Sequence, residues 1–132
     1  MKYIGAEIKT GLAVEPQDSA AGTVTGVAID RRGYESGVFT VITGQASGSP
    51  TTQSVILKLQ ECATSGGSYA DVSGATLAAI TANSTGGELN VNLKTLKRYV
   101  KAILTVAFTG GSTPKIEVGA TYSLGEADVK ST

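Results

Sequence analysis

Lys94, Lys97, Arg98 and Lys101 place four cations on one short stretch with no acid between them. Such a run attracts phosphate or a carboxylate-rich protein surface. Nucleic-acid recognition also calls for interleaved aromatic rings, and Tyr99 alone supplies one here. A strand surface that faces solvent or an acidic partner is the plainer reading. Arg31-Arg32, just before Gly33-Tyr34-Glu35, makes a second cationic turn. An acidic protein partner accounts for both patches.

The catalytic inventory is thin. Cys62 and many Ser and Thr hydroxyls are nucleophiles, but the chain has no His, so no imidazole base can activate them. One Cys excludes an internal disulfide and a multi-thiolate zinc site. Glu61, Asp71, Glu88 and Glu117 are the carboxylates a glycosidase pair would draw on. With no Trp and two Phe, however, a sugar-stacking platform would rest on Tyr. The Gly pairs at 66–67, 86–87 and 110–111 lack the Gly-Lys-Ser/Thr ending of a phosphate loop and read as turns. Asn83-Ser84-Thr85 matches a glycosylation acceptor only by chance in a chain without a secretion signal. Cys62 is expected to pack as a small apolar residue at a strand end. No enzymatic activity, cofactor or metal is expected.

Composition bounds the rest. The 132 residues suit one domain, and 11 basic against 11 acidic residues give zero formal net charge. A global electrostatic attraction to nucleic acid or anionic lipid is therefore not expected. No apolar run approaches the ~18 residues of a membrane span. Met1-Lys2-Tyr3-Ile4-Gly5 lacks the apolar core of a signal peptide. The expectation is a soluble protein made in a reducing cytoplasm. Few aromatics (5 Tyr, 2 Phe) mean that the core must be aliphatic.

The elements that must position these residues are strands. Gly37–Thr43 is β-branched with apolar residues on both faces, which suits a central strand. Ser54–Cys62, Glu88–Leu93 and Lys115–Leu124 alternate apolar and polar residues. Tyr69–Val72 is a short strand, and Thr23–Asp30 is another with Val27 and Ile29 on one side. Lys94–Leu104 carries helical spacing, but Val100, Ala102, Leu104, Val106 and Phe108 form an unbroken period-two face, which favours a strand over Arg98–Phe108. Leu77–Ile80 fits a helical turn or an edge segment equally. Seven or eight short strands with Gly-rich turns spell an antiparallel sandwich or barrel.

The ends differ. Ile4, Ala6, Ile8, Leu12 and Val14 fall on even positions before Pro16 and a hinge at 17–22. This is an extended segment, either the first strand of the main sheet or an arm that lies on a neighbouring subunit. Sixteen extended residues would reach about 50 Å at roughly 3.3 Å each. The arm reading divides the chain into an arm over 1–22, a β domain over 23–125 and a tail over 126–132.

Asp30-Arg-Arg-Gly-Tyr-Glu-Ser36 opens the strand Val38–Ile42, followed by Leu57-Lys-Leu-Gln-Glu61, Tyr69-Ala-Asp-Val72 and Lys97-Arg-Tyr-Val-Lys-Ala-Ile-Leu-Thr-Val106. This order resembles small structural proteins from the head gene clusters of tailed bacteriophages, the jelly-roll capsid decoration (cement) proteins. The resemblance covers about residues 23 to 124. Tyr69 stands where that family more often has Trp, and Lys101 where it more often has Arg. The resemblance implies an eight-stranded jelly roll, no catalysis, and a homodimer or homotrimer bound outside the assembled head across joints between major capsid proteins. In that setting Ile4, Ile8, Leu12 and Val14 of the arm are candidates for buried contacts. Arg31, Arg32, Lys97, Arg98 and Lys101 are candidates for charged ones. Nucleic acid and membrane are not expected partners. The alternatives are a tail or head–tail junction protein and a carbohydrate-binding host-attachment module.

Overall fold

A computed structural model describes residues 8–127. Nine strands run in chain order: β1 (Lys9–Ser19), β2 (Gly22–Thr25), β3 (Ile29–Asp30), β4 (Tyr34–Thr43), β5 (Thr52–Cys62), β6 (Ala70–Thr76), β7 (Gly86–Asn92), β8 (Tyr99–Thr109) and β9 (Ile116–Ala127). One sheet has the order β1-β9-β4-β7, the other β2-β8-β5-β6, with β3 also paired to β8. All pairings are antiparallel. Counting β2 and β3 as one interrupted strand leaves eight, which change sheet at every connection except β5 to β6 and form two four-stranded sheets in the jelly-roll pattern.

The alternation read from the sequence places the core. Phe39 and Val41 on β4, Val55, Leu57 and Leu59 on β5, Val100, Ala102, Leu104 and Val106 on β8, and Ile116, Val118, Ala120 and Leu124 on β9 are all buried between the sheets. β4 is central, flanked by β9 and β7. The 94–104 ambiguity resolves as strand from Tyr99, preceded by a single 3-10 turn at Leu93–Thr95 that ends β7 one residue before Leu93. Of the two readings of Leu77–Ile80, the edge segment holds, with Leu77 N–H donating to Leu57 O on β5. It lies against β5 through a two-way bridge between Val55 and Ile80, which buries Ile80.

Three expectations change. Residues 9–19 of the predicted arm are β1, an edge strand of this chain's own sheet, running from Lys9 opposite Leu124 to Ser19 opposite Ile116. Without β1 the backbone of β9 would present an open edge, and Ala13 and Val14, both fully buried, would leave the core. The β domain therefore begins by Lys9, and β9 carries it through residues 126–127 of the predicted tail; residues 1–7 and 128–132 lie outside the described residues. Second, Thr23–Asp30 is broken. Gly26 N–H donates to Ala102 O on β8 (2.8 Å), but Val27 N–H donates to Ala13 O on β1 (3.0 Å), so the chain stitches the two sheets together before returning to β8 at Ile29. Val27 is thereby exposed while Ile29 is buried. Third, Gly86-Gly87 opens β7 and is not a turn; a Cβ on Gly87 would press on Leu77 at 2.8 Å.

Glycine at position 11 does not weaken β1 as its type suggests. Tyr122, its register partner on β9, lays its ring over the vacant position and packs against Phe39, with ring centroids 6.4 Å apart. Cross-strand aromatic cover of this kind restores packing that glycine lacks.

Candidate interaction surfaces

The two cationic segments found in the sequence meet in space. β3 pairs with the start of β8, Asp30 opposite Tyr99, and Arg31 N–H donates to Arg98 O at 2.9 Å. The Arg31 guanidinium reaches over this junction, donating from Nε to Lys97 O (3.2 Å) and from Nη2 to Leu96 O. Arg31 is thus a latch between two loops. Two of its donors are committed to backbone carbonyls.

Arg98 is also committed. Its Nε and Nη2 donate to the two carboxylate oxygens of Asp30 at 3.1 and 2.9 Å, in the fork geometry that suits guanidinium and carboxylate. Its guanidinium carbon also lies 5.0 Å from the centroid of Tyr99. The hydrogen bond from Arg98 holds the Asp30 carboxyl below its ordinary range, and the same pairing raises the Arg98 pKa. Asp30 Oδ1 further accepts from Arg32 N–H (3.1 Å), an Asx turn that shapes the knuckle, and Lys9 Nζ donates to Asp30 O (3.3 Å). The sequence reading missed Asp30 because its partner lies 68 residues away. On the outside of the knuckle, Arg32 and Lys97 are exposed.

Lys101 belongs to a second, self-contained strip on the outer face of the β8-β5-β6 sheet. Its ammonium lies 4.3 Å from the centroid of Tyr69, whose hydroxyl donates to Ser65 O (2.8 Å). Burial pushes the Tyr69 hydroxyl pKa up. Beside it, Asp71 accepts from Gln60 Nε2 (2.9 Å) and Lys58 Nζ (3.2 Å); these bonds, Gln60 first, lower its pKa. Ile103, on the same outer face between Lys58 and Thr25 in register, is only 3% exposed yet stands outside the main core cluster. Cys62 ends β5 as expected but stays half-buried, and a hydrogen bond from the Thr64 backbone lowers its thiol pKa.

For a third surface the sequence flags Leu12 alone. Outside the β1-β9-β4-β7 sheet lies a groove of about 510 Å³, walled by Leu12, Pro16 and Ile42 over the floor residue Gly119 and bordered by Asp18 and Glu117. Leu12 and Ile42 are 52% and 57% exposed, which makes them two of three large apolar side chains left open among the described residues. Leu12 and Val14 were expected on one face. A β-bulge between them turns Leu12 outward opposite Thr121 and Val14 inward opposite Ala120. Val14 is therefore core, not a docking residue. Gly119 has no side chain where Pro16 crosses it; a Cβ there would sit 3.3 Å from Pro16 Cα. Ile8 is half-buried beside Gly125, and Ile4 lies outside the described residues.

No protein-family model matches the chain. No curated protein matches it either. Among solved structures, the SPBc2 prophage-derived protein YomS is similar over 91% of this chain and 94% of its own, at 13% identity and a TM-score of 0.50. A chain from the structure of infectious bursal disease virus, Gx strain, is similar over 94% of this chain at 12% identity and a TM-score of 0.55; the match spans 33% of that longer chain. At such identities the likeness establishes a common fold: this chain shares its β-sandwich with a prophage-derived protein and with part of a viral one.

Proposed function

We propose that this chain is a structural protein of a tailed-phage virion, a decoration protein bound to the outside of the assembled head. The observation that carries the reading is the near end-to-end fold match to a prophage-derived protein, joined to the resemblance of residues 23 to 124 to decoration proteins. The surface chemistry supports it. Asp30, Asp71, Arg31, Arg98 and Lys101 all serve internal contacts that stiffen strands and loops, so the charged groups hold shape instead of being poised for reaction.

In this role the protein clamps neighbouring major capsid proteins. DNA packing strains the joints between capsomers, and a ligand that binds only the expanded, assembled lattice stabilises that lattice by mass action. Several copies engaging several capsid subunits at once add avidity without new contacts. The protein has no turnover reaction and needs no cofactor.

The test is copy number and retention. Stained gels of purified virions are expected to show hundreds of copies, and particles lacking the protein are expected to lose DNA at lower temperature or under chelator. A dozen copies or fewer would place the chain at the head–tail junction instead. Absence from virions would end the reading.

A further inference from the structure

Arg32 and Lys97 lie at one end of the sandwich and a carboxylate pair at the other, with Glu35 near the first end and Lys115 near the second. At one end, where β3 meets the start of β8, Arg32 and Lys97 protrude from the knuckle beyond the internally paired Asp30–Arg98. At the other end of the strands, Asp18 and Glu117 face each other in register across β1 and β9 and border the apolar groove, whose lining contains no cation. Lys115, two residues before Glu117, is not among the residues that line the groove. Two adjacent carboxylates on a water-exposed apolar groove repel one another unless a cation comes between them. The chain carries zero net charge, so the like-charged ends of two copies repel while the opposite ends attract.

We propose that the groove of one copy receives the Arg32/Lys97 knuckle of a second copy. The aliphatic stems of Arg32 and Lys97 cover Leu12, Pro16 and Ile42, and their charged heads reach Asp18 and Glu117. The contact is heterologous, since the donor and acceptor surfaces differ and lie at opposite ends. It closes into a ring or grows as a chain, and it does not form a two-fold dimer. The inference does not depend on the virion reading, because it concerns only copies of this chain.

The experiment uses the full chain. Sedimentation velocity and light scattering over a concentration series are expected to show self-association that weakens between about 0.05 and 0.5 M NaCl. Glu117→Lys and Lys97→Glu are each expected to weaken it at least about tenfold, and the two together in one chain to restore it. Both residues are exposed, and circular dichroism checks the fold of each variant. In a Cys62→Ser background, Ile42→Cys and Lys97→Cys chains mixed together are expected to crosslink to each other. A protein that stays monomeric up to about 1 mM, charge reversals without effect, or crosslinking of Ile42→Cys only to itself would each overturn the proposal.

Discussion

Arg98, the residue just before β8, sits one residue out of register with Asp30 on β3, and their side chains meet through two parallel hydrogen bonds of 3.1 and 2.9 Å. This pair decides what the cationic cluster can do. It pairs one of the six cations carried by the two segments with an acid, while Arg31 holds two backbone carbonyls. It also makes the knuckle acid-sensitive. Asp30's pKa is lowered from 3.8 by the folded structure, so the ionised form is favoured in the native state. The resulting stabilisation is present above pH ~4 and is lost as pH falls through the lowered value. Urea denaturation of the wild type and of Asp30→Asn is expected to differ by a constant amount above about pH 5, and the gap to close in more acid solution. A gap that persists unchanged at pH ~2 would show that Asp30 acts as a neutral hydrogen-bond partner only.

Among the described glycines, Gly26 is the one least able to take a side chain. A Cβ there collides with the carbonyl oxygens of Ala13 and Ala102, one on each sheet. Those are the acceptors of the Val27 and Gly26 amides that tie the sandwich along this edge. Gly26→Ala is expected to cost about 3 kcal/mol through forced backbone shifts. Gly66→Ala, with nothing within 4 Å, is the control and is expected to cost about 0.5 kcal/mol or less. Equal midpoints in thermal melts would contradict the stitch.

Leu12 and Val14 offer a test of the bulge. Val14→Ala removes methyl groups from a fully buried site and is expected to cost about 2 kcal/mol. Leu12→Ala, at an exposed site, is expected to cost about 0.5 kcal/mol or less. The same comparison separates a sheet strand from a detachable arm: truncation before Ala20 is expected to unfold the domain, seen as loss of cooperative melting.

Tyr69 and Lys101 form a cation–π contact between β8 and the loop that precedes β6. Tyr69→Leu is expected to lose about 0.5–1 kcal/mol relative to wild type. Tyr69→Trp, which keeps an aromatic face beneath the ammonium, is expected to retain it. A double-mutant cycle with Lys101→Met measures the coupling; zero coupling energy would mean that the two side chains are merely neighbours.

Much of the architecture was legible because alternation is a local property. A strand's side chains point alternately to its two faces whatever the strand pairs with, so Val55, Leu57 and Leu59, or Ile116, Val118 and Ala120, name their own inner face. The same logic kept Arg98–Phe108 from being read as a helix. It fails wherever an extra residue enters. One residue inserted at Ala13 reverses Leu12 relative to Val14 and converts a predicted apolar contact edge into one core residue and one groove wall. Nothing in the spacing of these residues marks that insertion, because it is set by how β1 must follow β9.

The candidate surfaces were legible only in part. The sequence by itself determined an aliphatic, His-free β domain with two cationic turns, since residue type and period two need no partner to act. The tertiary structure alone decided that those turns are neighbours, that Asp30 neutralises Arg98, that β1 closes its own sheet, and that Leu12 and Ile42 flank a groove edged by Asp18 and Glu117. Each of these depends on contacts between segments tens of residues apart, and chain folding, not local preference, sets which distant segments meet.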